Sequence, residues 1–295
     1  MKNKKILFVK LPTIMLVICY FCFLKTNIYA KVYNDYFASN KEYVSMFEIE
    51  INKLIDNNKH IFKSVAPSFT SKLIKTIKSN NNILIGVIGE TASGKSSVVK
   101  KAIKTSKDLN ISSTFISLDN YYEDTSDMLK NGKTVTDLIK DGYSFDCPNA
   151  FNMKLIKSDL KKIKKGKDIY LPEYKLDGTG ISVPNKIHVK PEKIVLVEGI
   201  ASSFEDVPDI FDITVYIDVD VNIRKERWYN RTKERNMGKD NIDITWNRVN
   251  EEGKKYIVPM KDKSDVVIDN ANDIKYVSDI ITQLYKIINK YKNKL

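Results

Sequence analysis

Gly89-Glu90-Thr91-Ala92-Ser93-Gly94-Lys95-Ser96 follows directly on the apolar run Ile83 to Ile88 and opens a helical pattern, Lys95 to Ser106. A strand, a glycine-bracketed loop and a helix in that order make a cradle for phosphate. Gly89 and Gly94 permit the backbone turns that aim successive N–H groups at phosphate oxygens, and the helix behind presents its positive end to them. In such a P-loop the amine of Lys95 reaches the outer phosphates and the hydroxyl of Ser96 ligates a magnesium ion. Gly89, Glu90, Thr91, Ala92, Ser93, Gly94, Lys95, Ser96 and Ser97 are thus the candidate nucleotide-binding residues.

Outward from this loop, short β-branched runs alternate with helical stretches. The runs are Ile83 to Ile88, Thr114 to Leu118, Ile194 to Val197, Ile213 to Ile217 and Val266 to Ile268. Continuous apolar runs of this length suit strands buried on both faces. Helical patterns cover Lys95 to Ser106, Asn152 to Lys164, Val221 to Arg235, Ile244 to Tyr256 and Ile274 to Tyr291. The expectation is a P-loop NTPase layered α/β fold, a parallel sheet flanked by helices. In such sheets ligands gather at the carboxyl ends of strands, where Asp119 and Glu198 follow two of the runs. A carboxylate there can take a proton from an attacking hydroxyl, hold the metal, or simply cap a loop.

Ahead of the loop, residues 33 to 80 are polar and Lys/Asn-rich, with Tyr43, Met46, Phe47, Ile51, Leu54 and Ile55 at three- and four-residue spacings. This predicts an amphipathic helix, a second helix over Phe69 to Lys78, and a linker from Ser79 to Asn82. Further upstream, Lys2, Lys4 and Lys5 precede Leu11 to Leu24, apolar apart from Thr13, and Ile28-Tyr29-Ala30 is a tolerable cleavage site. Residues 1–30 read as a signal peptide or membrane anchor, placing the protein at a membrane or outside it, or in the cytoplasm if the segment is unused. The expected organisation is this segment, a helical extension over 31–82 and a P-loop domain over 83–295.

The formal charge is +12, of which residues 31 to 295 carry +7. Polyphosphate substrates or a lysine-rich coding bias account for that excess as well as nucleic acid would, and no stripe of Lys/Arg interleaved with aromatics argues for nucleic acid. Cys147 is the one cysteine outside the N-terminal apolar run, so the body of the protein has no internal disulfide. With only His60 and His188 in the chain, a passive thiol is the simpler reading of Cys147 than a nucleophile.

Three further stretches follow the P-loop in order: Leu118-Asp119-Asn120-Tyr121-Tyr122, the run Tyr143 to Phe151 with Phe145-Asp146-Cys147-Pro148 at its centre, and Val197-Glu198-Gly199-Ile200. With Asp168 to Tyr174 and Tyr216 to Asp220 in register, the chain resembles the uridine kinase and phosphoribulokinase family over about residues 83 to 272. The resemblance implies ATP as donor and Mg²⁺ as cofactor, with Ser96, Asp119 and Glu198 around the metal and Asp119 as base for the acceptor hydroxyl. It implies an acceptor pocket of Tyr122, Phe145, Asp146 and Tyr174, Asp146 binding ribose hydroxyls. The arginine-rich segment after Asp220 corresponds to the family's mobile lid, which makes Arg227, Arg231 and Arg235, with Lys95, the candidates for stabilising charge on the transferring phosphoryl group.

Two departures stand out. Thr179 falls where the family carries a base-reading histidine, and Trp228-Tyr229-Asn230-Arg231 is reminiscent of the pantothenate kinase branch. The expected function is transfer of phosphate from ATP to a small hydroxyl-bearing metabolite, first of all uridine or cytidine. A pantothenate-type or other small-molecule kinase and a non-catalytic nucleotide-binding effector stand as alternatives. A guanine-reading Asn-Lys-x-Asp segment is absent, which argues against a GTPase. The partners expected are ATP and the acceptor, with a membrane contact through residues 6–24 and a homo-oligomer left open.

Overall fold

The computed structural model describes residues 41–79, 81–234, 239–270 and 274–291. In chain order these form α1 (41–57), β1 (Phe62–Val65), α2 (Phe69–Lys78), β2 (Ile83–Ile88), α3 (Lys95–Asp108), β3 (Ser113–Ser117), α4 (Val135–Lys140), α5 (Met153–Lys164), β4 (Ile169–Tyr174), β5 (Ser182–Val189), β6 (Ile194–Glu198), β7 (Ile213–Asp218), α6 (Val221–Glu234), α7 (Lys239–Glu252), β8 (Val266–Asp269) and α8 (Ile274–Tyr291). The main sheet runs β1-β8-β7-β2-β6-β3, and β4 and β5 form a separate antiparallel pair. All neighbours in the main sheet are parallel except β1, which runs antiparallel to β8. The expected parallel sheet is therefore a mixed one, closed at one edge by a strand from the N-terminal segment.

β2 shows why the central strands read as unbroken apolar runs. All six of its residues are buried. Ile83, Ile85 and Val87 face the layer that holds Val98, Val99 and Ala102 of α3 with Ile280, Tyr285 and Ile288 of α8. Leu84 and Ile88 face the opposite layer, with Ile156, Leu160 and Ile163 of α5. The alternation of Cβ atoms along a strand sends neighbouring side chains into separate cores, so both phases must be apolar.

The N-terminal segment joins the first of these layers. Phe47, Ile51, Leu73 and Ile77 are buried in it, and the Phe47 ring meets Tyr291 edge-on at 5.5 Å. The predicted helix over Phe69 to Lys78 matches α2 residue for residue. The predicted helix Ile244 to Tyr256 instead begins earlier, at Lys239, and gives way at Gly253 to a single π-helical turn, Gly253–Ile257. That turn brings the Gly253 backbone against the Glu90 carboxylate, where even a Cβ would lie 3.0 Å from Oε1. The apolar segment Leu11 to Leu24 lies outside the described residues. Among those described, no helix is long and apolar enough to cross a membrane.

Candidate active site

The P-loop runs from β2 into α3, and Gly94 stands as the helix N-cap with φ 90°, in the left-handed region that a side chain strains to enter. Ala92 takes φ 67° without that freedom, a local strain held by its surroundings. Lys95 opens α3 and is buried, its Nζ donating to the Glu90 carbonyl at 3.1 Å. Burial pushes its pKa down, while Glu198, Asp119 and Asp146 pull the other way. An ammonium under that burden gains strongly from an arriving polyphosphate.

Glu198 ends β6 and Asp119 follows β3, its neighbour in the sheet, so both carboxylates rise at adjacent strand ends. Glu198 accepts from the Ser96 hydroxyl at 2.9 Å through one oxygen and from the Ser117 hydroxyl at 2.9 Å through the other. Asp119 is pushed up to about 6 by burial and by the negative charge of Glu198, with Lys95 opposing. Gly199, at φ 133°, separates the two; a Cβ there would stand 3.0 Å from the Leu118 Cβ and 3.4 Å from the Asp119 carboxylate. The absent side chain is what lets the two strand ends approach. Ser96, Asp119 and Glu198 are all hard oxygen donors, and the set is sparse. That suits Mg²⁺, which binds through one or two carboxylates and completes its shell from phosphate and water.

Across a cleft of about 750 Å³, Tyr122, Phe145 and Tyr174, the residues expected to face the acceptor, form an aromatic wall. Tyr122 lies stacked on Phe151 at 4.1 Å, edge-on to Phe145 at 5.9 Å and tilted to Tyr174 at 5.1 Å. Asp146 is buried among them, which raises its pKa, and one carboxylate oxygen accepts from the Thr91 hydroxyl of the P-loop at 2.7 Å. A P-loop side chain thus reaches directly across to Asp146 beside the aromatic wall.

The arginine segment divides its work. Arg224, buried at 3% exposure, turns inward to Glu90 at 2.8 Å, to the Thr91 carbonyl at 3.3 Å and to Asn250 at 3.2 Å, with its guanidinium 5.4 Å from the Trp246 ring. Burial nevertheless leaves the Glu90 pKa raised, against the pull of Arg224. Arg227 lines the cleft and donates to the Ser93 carbonyl at 3.4 Å and the Asn270 carbonyl at 2.9 Å. Arg231 lines it too, 4.8 Å over the Trp228 ring. Arg235 lies outside the described residues.

Several lining residues are not among the site residues expected from the sequence. Val135 and Ile139 of α4, Leu176 of the β4–β5 turn, Trp228, and Arg248 and Val249 of α7 all face the cleft. A signal existed for α4: Thr134 and Asp137 form a reciprocal capping box, with Thr134 N donating to the Asp137 carboxylate at 2.8 Å and Asp137 N to the Thr134 hydroxyl at 3.2 Å. Nothing in the local sequence points Arg248 at this cleft. Cys147 stays outside it, half-buried, its thiol turned to the Ser144 carbonyl.

The sequence model of the phosphoribulokinase/uridine kinase family matches residues 84–276. A uridine kinase of Clostridium novyi (strain NT) is 34% identical over 210 residues, spanning 70% of this chain and 96% of that protein. A uridine kinase of Lactobacillus helveticus (strain DPC 4571) is 30% identical over 218 residues, 72% of this chain and 99% of that protein. In fold, the chain superposes on a candidate fructose transport system kinase from Silicibacter sp. TM1040 with a TM-score of 0.53 at 15% identity, over 67% of this chain and 95% of that one.

Proposed function

We propose, from the premise that the chain belongs to the phosphoribulokinase/uridine kinase family and is an ATP-dependent small-molecule kinase, that its acceptor is a pyrimidine nucleoside, uridine or cytidine, phosphorylated on the 5′-hydroxyl. The observation that carries this reading is the place of Asp119. Its half-buried carboxylate, with its pKa pushed up to about 6, lines the same cleft as the P-loop lysine on one side and the aromatic walls Tyr122, Phe145 and Tyr174 on the other.

In this reading the hydroxyl oxygen of the acceptor attacks the γ-phosphorus, its proton passes to Asp119, and the bond to the β-phosphate oxygen breaks to release ADP. Lys95, Arg227 and Arg231, with Arg235 as a further candidate, offset the charge spread over the transferring group. Mg²⁺, held by Ser96, Glu198 and Asp119, would neutralise the phosphate oxygens. The flat base lies against the aromatic walls, and Asp146 takes hydrogen bonds from the ribose diol.

A second reading, a kinase for pantothenate or another small polyol, is favoured by Thr179 and by Trp228 in the cleft wall. Coupled-assay turnover of the full chain with ATP against uridine, cytidine, adenosine, pantothenate and water separates the two, with Asp119→Asn as control. Nucleoside-dependent turnover lost in the control is the expected result. Turnover on pantothenate alone selects the second reading, and tight ATP binding with no turnover on any acceptor overturns the nucleoside assignment.

A further inference from the structure

The family match begins at residue 84, so α1, β1 and α2 precede the part of the chain shared with its relatives. They nonetheless reach the ends of the strands on which the ATP site stands. β1 closes the edge of β8, with Asp269 N donating to the Ile61 carbonyl and Ala66 N to the Asp265 carbonyl, both at 2.8 Å. Two lysines of this segment then cross to opposite ends of the sheet. Lys72 of α2 pairs with Asp265 at 2.9 Å, at the end of β8 away from the cleft, where Asp265 also accepts from Thr214 N and Oγ1. Lys63 of β1 pairs with Asp218 at 2.8 Å and Asp269 at 3.2 Å, at the carboxyl ends of β7 and β8.

Asp218 and Asp269 are register neighbours, and like charges side by side on adjacent strands repel. Lys63 bridges both, while Lys261 adds a second contact to Asp218 at 2.7 Å. Burial works against the charge on Lys63, yet its hydrogen bonds to the two carboxylates prevail and hold its pKa above the ordinary value. The residue after Asp269 is the buried Asn270. Its N donates to the Asp218 carbonyl at 3.0 Å, its side-chain Nδ2 donates to the Ser93 carbonyl of the P-loop at 2.8 Å, and its own carbonyl accepts from Arg227. A short chain of contacts thus runs from β1 to the phosphate loop and the lid helix.

We propose that Lys63 is a positioning residue of the ATP site: by bridging Asp218 and Asp269 it holds the ends of β7 and β8 together and so sets Asn270 against Ser93 and Arg227. Residues 41–79 are on this account part of the kinase unit and not an appendage to it. The inference rests on ATP as donor and is independent of which acceptor is used, so binding of MgATP alone tests it.

The measurement is calorimetric titration of MgATP into the full chain and its variants. Lys63→Met and Lys63→Gln should each weaken MgATP by about three- to tenfold, the scale of coupling through a packed network. Lys63→Arg should stay within about twofold of the parent, since a guanidinium can still pair with both carboxylates. Adding Asp269→Asn to Lys63→Met removes the repulsion and should recover part of the affinity. Lys72→Met, an ion pair of the same segment at the far end of the sheet, should lower the unfolding midpoint and leave MgATP affinity unchanged. Parent-like affinity in Lys63→Met and Lys63→Gln would overturn the proposal, as would an equal loss in Lys72→Met.

Discussion

The two halves of the cleft are built on different plans. The donor half is contiguous in the chain: Gly89 to Ser97 turn from β2 into α3, and backbone geometry at Gly94 aims the loop. The other half, where we place the acceptor, is gathered from Tyr122, from Val135 and Ile139, from Phe145 and Asp146, from Tyr174 to Gly178, and from Arg248 and Val249. A site made by one turn of backbone depends on few residues and is hard to retune. One made by scattered side chains can change its ligand without disturbing the sheet, which is how one fold serves many acceptors.

The sharpest way to separate the halves is to remove the group between them. Asp119→Asn should cut kcat by about 10²- to 10⁴-fold, the range for loss of a general base, while calorimetry shows MgATP binding retained. If ATP binding falls as steeply as kcat, Asp119 belongs to the donor half alone.

Next in size is the internal anchor of the donor half. Arg224→Met leaves Glu90 buried without its partner and should cost about 3–5 kcal/mol in urea denaturation. Adding Glu90→Gln should return part of that loss, because the charge that demanded a partner is gone. A milder cost, unaffected by the second change, would mean the pair is dispensable.

Thr91 joins the halves through a single hydroxyl. Thr91→Val leaves Asp146 buried without that bond, a cost of about 1–3 kcal/mol that should appear as a raised acceptor KM with the ATP KM little moved. Equal effects on both constants would mean that Thr91 serves the two halves as one site.

The smallest effect is in pH. As the proposed base, Asp119 serves only when ionised, and with its pKa pushed up to about 6 the acid limb of kcat/KM should fall through that value. An ordinary aspartate would keep its activity down to about pH 4. The direction follows from burial beside Glu198: both disfavour the charged form, so proton uptake, and loss of activity, come at a higher pH. A limb near pH 4 would show that the carboxylate is better solvated than its setting here implies.

Much of the fold was legible because its central strands carry their burial in their composition. Ile83–Ile88 matches residue for residue, and the buried runs at Ile194, Ile213 and Val266 are each strands extended by one residue at the carboxyl end. The β4–β5 pair escapes the same criterion, since β5 is largely polar with no buried residue and a proline and a glutamate interrupt the apolar residues of β4. β1 is four residues, Phe62-Lys63-Ser64-Val65, with no apolar run at all, and only the open edge of β8 makes it a strand.

By itself the sequence determined the phosphate loop, the order of the buried strands and the carboxylates at their ends, because each is specified by neighbours along the chain: a glycine that must turn, a run that must be buried, an acid that follows it. Only the tertiary structure decided that Arg224 serves Glu90, that Thr91 reaches Asp146, that Arg248 enters the cleft and that Lys63 bridges two strand ends. These contacts join residues from 55 positions apart, Thr91 and Asp146, to 206 apart, Lys63 and Asp269. Long side chains of one charge look alike in a sequence, and packing alone selects the partner each one meets.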